Sequence, residues 1–243
     1  MLGLAIESSG NVASAALWRS AHGRISWLAD ATLPVGGGKA DQLITIVEQL
    51  LANESLSYPD LALIAVNRGP GSFTGIRSAV ALARGLALAS GLPVLGVTSH
   101  EAVATKLRHD RPDARRDCPL VVSLDARRGE VYVQTFSANG EALTAISSQG
   151  PAAVADQLKA GSWYLVGDGA ALVAPMLDAQ TKVEMMHAIS IDASAVALAA
   201  VERLFAGDVP VSGDTLKPLY IRAPDAVPPT PLVSKGDDIE VLA

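Results

Sequence analysis

The sequence predicts an α/β protein of two lobes, each a mixed β-sheet with flanking helices. Three observations carry that expectation. The opening stretch LGLAIESSGNVASAALW (2–18) and the later LVVSLDARRGEVYVQTF (120–136) share one layout: an apolar strand ending in an acid, Glu7 or Asp125, a tight polar turn, and a second strand. Between them the apolar run LALIAV (61–66) leads through a glycine turn, NRGPGSFTGIR (67–77), into a long Ala/Leu-rich run, the strand–turn–helix succession of α/β chains. The charge-rich RHDRPDARRD (108–117) then separates a first lobe, 1–108, from a second, 109–243.

Each element has its local reason. Leu2–Ile6 is an apolar strand, Val12–Trp18 alternates back along it, and Ile25–Thr32 forms a third strand. Pro34 and Gly36–Gly38 break the chain before a helix from Asp41 to Asn53. The helix after the glycine turn runs from Thr74, its expected cap, to Ser90, where Gly91 stops it. PVLGV (93–97) is a buried strand, and Thr98 with Glu101 makes a capping box for a helix reaching Arg108. In the second lobe, WYLVGDGA (163–170) is a strand entering a glycine turn, and Asp192 caps an Ala-rich helix that Gly207 ends. Five prolines between Lys217 and Pro231 make the tail extended.

Two lobes that each open with an acid-bearing hairpin are the signature of the actin-like (ASKHA) class, in which the two turns face each other across a nucleotide cleft; the alternative is that such hairpins are ordinary features of any α/β chain. Composition narrows the function. Hydrophobic residues make up 49% of the chain but aromatics only 4%, so Ala, Val and Leu must fill the core. A net charge of −6 argues against a stand-alone nucleic-acid binder, which needs a basic surplus to neutralise phosphates. Arg127 and Arg128 are one possible local RNA contact, or simply a solvated turn. Cys118 is the only cysteine, so no intrachain disulfide or Cys-based zinc cluster can form. The N-terminus lacks a basic segment and Glu7 interrupts its apolar run, unlike a signal peptide. Apolar stretches fall short of a membrane span, and a cytoplasmic, soluble protein is expected.

The glycine loop reads G-x-G-x-x-x-G (Gly69, Gly71, Gly75), which is neither the dinucleotide fingerprint nor a Walker A. Amides at the helix start suit an anion, with Ser72 and Thr74 adding hydroxyls. Alternatively the glycines permit a sharp strand-to-helix turn, the preferred reading. The turn Glu7-Ser8-Ser9-Gly10 is a weak candidate phosphate cradle, with Glu7 either handling a metal or ending the strand in solvent. The four histidines are scattered and no G-x-S-x-G elbow exists, so no catalytic residue and no metal ligand is assigned.

The helix after the loop is apolar nearly all round. Its core stripe is Ile76, Ala79, Val80, Leu82, Ala83, Leu86 and Ala87, yet the reverse side carries Ser78, Ala81, Gly85 and Leu88 beside a narrow strip of Arg77 and Arg84. Such a helix is expected to be covered on both sides, by a protein partner or by the chain's own second lobe. The expected partner surface is Arg77, Ser78, Ala81, Arg84, Gly85 and Leu88, with Val47 and Leu50 of the preceding helix nearby. That helix has its own stripe, Leu43, Ile44, Ile46, Val47, Leu50 and Leu51.

RGPGSFTGIR, together with LAIESSGNVASAALW, SLDARRGEVY and the late KPLYIR (217–222), resembles the TsaB family, grouped with M22 glycoprotease-like proteins. The resemblance covers almost the whole chain and implies the actin-like fold. It also implies a non-catalytic partner of a TsaD-like paralogue, which transfers a threonylcarbamoyl group to adenosine 37 of tRNAs reading ANN codons. A TsaE-like ATPase completes the assembly, a further enzyme supplies threonylcarbamoyl-AMP, and ATP and metal belong to the partner subunits. The chain alone is then expected to homodimerise, to need no cofactor and to meet tRNA only through the complex. The catalytic paralogue carries an HxxxH metal pair on a first-lobe helix; the comparable helix here begins Lys39-Ala40-Asp41-Gln42-Leu43, without histidine. Asn67 stands where the family often has glycine. The alternative function is a self-sufficient nucleotide-dependent ATPase or kinase of the actin-like class, with Glu7 and Asp125 as its acids.

Overall fold

The computed structural model describes residues 1–10, 12–22, 24–33, 39–111, 118–159, 161–185 and 189–222. The glycine break at 34–38, most of the charged linker and the proline-rich tail beyond 222 lie outside the described residues. In the first half, β1 (Leu2–Glu7), β2 (Ala13–Ala21) and β3 (Arg24–Leu33) precede α1 (Lys39–Asn53), β4 (Leu63–Asn67), α2 (Phe73–Ser90), β5 (Val94–Val97) and α3 (Ser99–Asp110). In the second, β6 (Leu120–Arg127), β7 (Glu130–Phe136) and β8 (Ser147–Gln149) precede α4 (Pro151–Leu158), β9 (Ser162–Val166), α5 (Ala170–Val173), β10 (Lys182–Met185) and α6 (Ala193–Phe205).

Among the described residues these strands form two five-stranded sheets, ordered β3-β2-β1-β4-β5 and β10-β9-β6-β7-β8. Counted from each lobe's own first strand, the two orders are the same. In each, the opening strand pairs antiparallel with its hairpin partner on one side and parallel with the fourth strand on the other. The paired hairpins of the sequence are therefore the visible part of a repeat that extends to both whole sheets.

The first sheet is covered on both faces, which is why its central strands are almost continuously apolar. Leu4, Ile6 and Leu17 face α1 and α2; Ala5, Ala16 and Trp18 face the other way, against α6. The C-terminal helix thus packs on the first lobe's sheet, where its small residues Ala195, Ala197 and Ala200 are buried. Helix α3 joins the lobes: Ala102 belongs to the α6 layer, while Val103, Ala104 and Leu107 pack with Leu120, Val122 and Leu124 of the second sheet. The sequence division at residue 108 falls inside this shared helix.

The caps follow local chemistry. The Thr98–Glu101 box is formed, with Glu101 N donating to Thr98 Oγ1 at 3.1 Å and Thr98 N to Glu101 Oε2 at 2.7 Å. Asp192 caps α6 by accepting from Ala195 N at 2.9 Å. Helix α2 starts one residue earlier than expected and its cap lies two residues earlier. Its cap is Ser72, which accepts from Gly75 N at 3.3 Å, and Thr74 already lies inside the helix. Gly91 ends α2 at φ 71°, the left-handed turn expected of a terminal glycine. Among the described residues no helix is long and apolar enough to cross a membrane.

Candidate functional site

The glycine loop is seated on the β1–β2 turn. Ser72 N donates to the Ser9 carbonyl at 2.7 Å. A Cβ on Gly71 would lie 2.6 Å from that same oxygen, so only glycine permits this approach. Ser8 and Ser9 are buried, and Glu7 is wholly inaccessible. The expectation that Glu7 ends the strand in solvent is therefore corrected: the turn folds back over its carboxylate. Glu7 Oε1 accepts from the backbone N–H of Ser9, from Ser9 Oγ at 2.6 Å and from Gly10 N at 3.1 Å. The candidate cradle Glu7–Gly10 brings its residues together, but its amides bind the protein's own carboxylate.

Asn67, at the end of β4, organises the rest of this buried cluster. Its Nδ2 donates to Ser9 Oγ at 2.9 Å and Ser99 Oγ at 3.0 Å, while its Oδ1 accepts from Gly69 N at 2.8 Å. Ser99 Oγ in turn donates to the Pro70 carbonyl at 2.6 Å. Strand end, loop and the first turn of α3 are thus joined through one amide. Burial pushes the Glu7 carboxyl up to about 7, against the opposing pull of the Ser9 and Gly10 hydrogen bonds and of the nearby Asn67 amide. Among the described residues Glu7 Oε2 has no hydrogen-bond partner, in keeping with a carboxyl that favours the neutral form. The sequence signal for Asn67 was an amide closing an apolar strand, which a buried site must satisfy.

The two hairpin turns face each other across a cleft of about 550 Å³, lined by Gly10, Pro70 and Phe73 on one lip and Asp125, Arg127 and Asp168 on the other. Asp168 Oδ1 accepts from Asp125 N at 2.9 Å, and Asp125 Oδ1 accepts from Arg127 N at 2.7 Å. The Arg127 guanidinium lies 3.1 Å from Asp125 Oδ2 but is 78% exposed, so that ion pair stabilises little. Glu7 does not line the cleft. Among the described residues no group of three or more His, Cys, Asp or Glu is placed to hold a metal ion.

The outward face of α2 is bare. Arg77, Ala81, Arg84, Gly85 and Leu88 are exposed and Ser78 is half-buried; Leu88 is 88% exposed. Among the described residues, Gly213, beside Arg84 and Ala87, and Tyr220, on Arg77, approach the edges of this face from the second half of the chain. A Cβ on Gly85 would meet nothing within 4 Å. Val47 and Leu50 are corrected: at 0% and 5% exposure they belong to the core that α1 shares with α2 and the sheet, and offer a partner no surface. Two exposed aromatics that periodicity missed flank the face instead. The Arg77 guanidinium lies 3.7 Å from the centre of the Phe73 ring, and its Nε donates to the Tyr220 hydroxyl at 2.8 Å.

Two lobes of one strand order, facing each other across a cleft between their first hairpins, define an actin-like (ASKHA) α/β protein. Residues 39–212 match the family model described as TsaD: tRNA N6-adenosine threonylcarbamoyltransferase. The chain belongs to this family, with TsaB proteins as its sequence relatives. It is 29% identical to the Escherichia coli tRNA threonylcarbamoyladenosine biosynthesis protein TsaB over 178 residues, 68% of this chain and 71% of that protein. With the Haemophilus influenzae protein of the same name the identity is 32% over 130 residues, about half of each chain (53% and 51%). In structure it is similar to a Pseudomonas aeruginosa protein described as resembling peptidase YeaZ, with a TM-score of 0.75, 24% identity, and coverage of 91% of this chain and 99% of that one.

Proposed function

We propose that the chain serves tRNA threonylcarbamoyladenosine biosynthesis as a non-catalytic scaffold, docking through α2 on a TsaD-like paralogue that performs the transfer to adenosine 37. The bare face of α2 is the observation that carries this reading. Ala81 and Gly85 lower the helix surface enough for another helix to approach closely, and burying Leu88 against it contributes about 2 kcal/mol. Phe73, Arg77 and Tyr220 are the residue types that anchor interfaces. Without the paralogue, the same patch drives homodimerisation. The engaged Glu7 turn supports the non-catalytic assignment, since its Ser9 and Gly10 amides are already committed. In this reading ATP and metal act in the TsaD-like and TsaE-like subunits, and tRNA is held by the assembled complex.

One observation favours the alternative of a self-sufficient nucleotide-dependent enzyme: Asp125 and Asp168 line the cleft. Reconstitution separates the two. The scaffold reading expects this chain to be inert alone and to be required, at one copy per paralogue, for tRNA modification. ATP turnover by the isolated chain that disappears in Asp125→Ala would overturn it.

A further inference from the structure

The KPLYIR segment, Lys217–Arg222, is neither helix nor strand, yet it is held at both ends and in its middle. Just before it, Leu216 is 4% exposed and packs in the first lobe's core. Leu219 N donates to the Arg68 carbonyl at 2.7 Å, beside the glycine loop. The Tyr220 ring lies 5.7 Å from that of Phe73, and its hydroxyl accepts from Arg77 Nε. Two residues on, the chain has crossed to the other lobe. Arg222 pairs with the Glu130 carboxylate and donates from Nη1 to the Ala126 carbonyl at 3.4 Å. Glu130 is itself fixed, accepting from Ser148 Oγ on β8 at 2.8 Å, and these bonds hold its carboxyl below its ordinary range. Phe73 and Ala126 line opposite lips of the interlobe cleft, so one short segment touches both lips.

We propose that Leu216–Arg222 is a latch that sets the separation of the two lobes and hence the width of the cleft. The physical case is one of geometry. The chain bends at Ile221 and Arg222, and two residues span at most about 7 Å even when fully extended, so the two anchors hold the lips close while both are engaged. The anchor on the first lobe is apolar and aromatic, while the one on the second is a charge-assisted pair at the surface, the more easily released of the two. Opening the cleft therefore requires breaking Arg222 from Glu130 or lifting Tyr220 from Arg77. Because Arg77 also belongs to the α2 face, a partner seated there would press on the latch. That consequence rests on the docking reading; the latch does not.

The test uses the full chain without any partner. Spin labels at Ala52→Cys on α1 and Ala153→Cys on α4, in a Cys118→Ser background, report the interlobe distance; both positions are exposed. Arg222→Ala and Glu130→Gln should each lengthen and broaden that distance distribution. Hydrogen exchange at the Leu219 amide should quicken by about tenfold in both, as expected when a local opening loses one of its anchors. Glu130→Gln keeps the side chain's size and its bond from Ser148, so folding is preserved. Lys159→Ala, which removes an exposed second-lobe pair with Asp156, should change neither readout. An interlobe distance unaltered in both latch variants, or Leu219 exchange unmoved by Glu130→Gln, would show the segment to be a passenger and overturn the proposal.

Discussion

Gly75 lies directly against Ser8: a methyl group on its Cα would fall 1.7 Å from the Ser8 carbonyl oxygen. The obstacle is backbone, so no rotamer change relieves it. Gly75→Ala should destabilise the fold by about 3 kcal/mol, at the upper end of overpacking costs. Gly85 supplies the contrast within the same helix. It faces open space, and Gly85→Ala should stabilise the isolated chain by about 0.5–1 kcal/mol through helix propensity alone. Denaturant unfolding of the two variants measures both. Equal stabilities would mean that the loop lifts off the β1–β2 turn at little cost.

Glu7 makes stability depend on pH in an unusual direction. Its carboxyl is raised from 4.5 to about 7 in the folded chain, so between those values the folded state holds a proton that the unfolded state has lost. The contribution is fully present below pH 4.5 and is lost as pH rises through about 7. The loss amounts to about 3 kcal/mol, from 1.36 kcal/mol per pH unit. Glu7→Gln keeps an oxygen for Ser9 and Gly10 but cannot titrate. The stability difference between wild type and Glu7→Gln should therefore shift steadily across this window; a constant difference from pH 4.5 to 7 would rule out the buried titration.

His100 has the opposite sign. It is buried on α3, with Nε2 3.1 Å from the Tyr132 carbonyl of β7 and Nδ1 without a hydrogen-bond partner among the described residues. Burial lowers its pKa from 6.5 to about 4, outweighing the hydrogen bond to Tyr132. Below pH 6.5 the unfolded state takes up a proton the folded state refuses, so this contribution is present above 6.5 and lost as pH falls through about 4. About 3 kcal/mol is at stake. His100→Gln should cost stability at neutral pH yet narrow its gap to wild type as the solution is acidified. A gap that stays the same would place the proton elsewhere.

What could be read from the chain, and what could not, divides by sequence distance. The repeated hairpins and the two faces of α2 were legible because antiparallel neighbours and helical turns leave their pattern within a few residues. The fate of Glu7 was not, because an acid at a strand end suits solvent equally well. Its burial is decided by an amide bonded to Ser9 58 residues away and to Ser99 across another 32. Val47 and Leu50 failed for a related reason. A wide apolar stripe on α1 does not say which part meets the chain's own α2 and which a partner. The docking of α6 on the first sheet and of Tyr220 on Arg77 joins opposite ends of the chain, and no local pattern announces either.

The ranking of α2 variants follows from what each side chain would lose on docking. Leu88 is almost fully exposed in the free chain, so Leu88→Glu should leave folding unchanged within about 0.5 kcal/mol. At a closed interface the same change buries an unpaired charge, costing about 3 kcal/mol or more, over a hundredfold in Kd. Gly85→Leu should be comparably damaging, because it removes the close approach rather than a contact. Arg84→Ala forfeits a rim-type charge and should weaken association by about fivefold. Arg77→Ala also unstacks Phe73 and frees the Tyr220 hydroxyl, so it should fall between Arg84→Ala and Leu88→Glu. Sizing chromatography of the isolated chain and capture of the TsaD-like paralogue should rank the four alike, with circular dichroism confirming the fold. A folded Leu88→Glu protein that still captures the paralogue at full strength would move the interface off α2, leaving Leu88 an exposed residue that nothing covers.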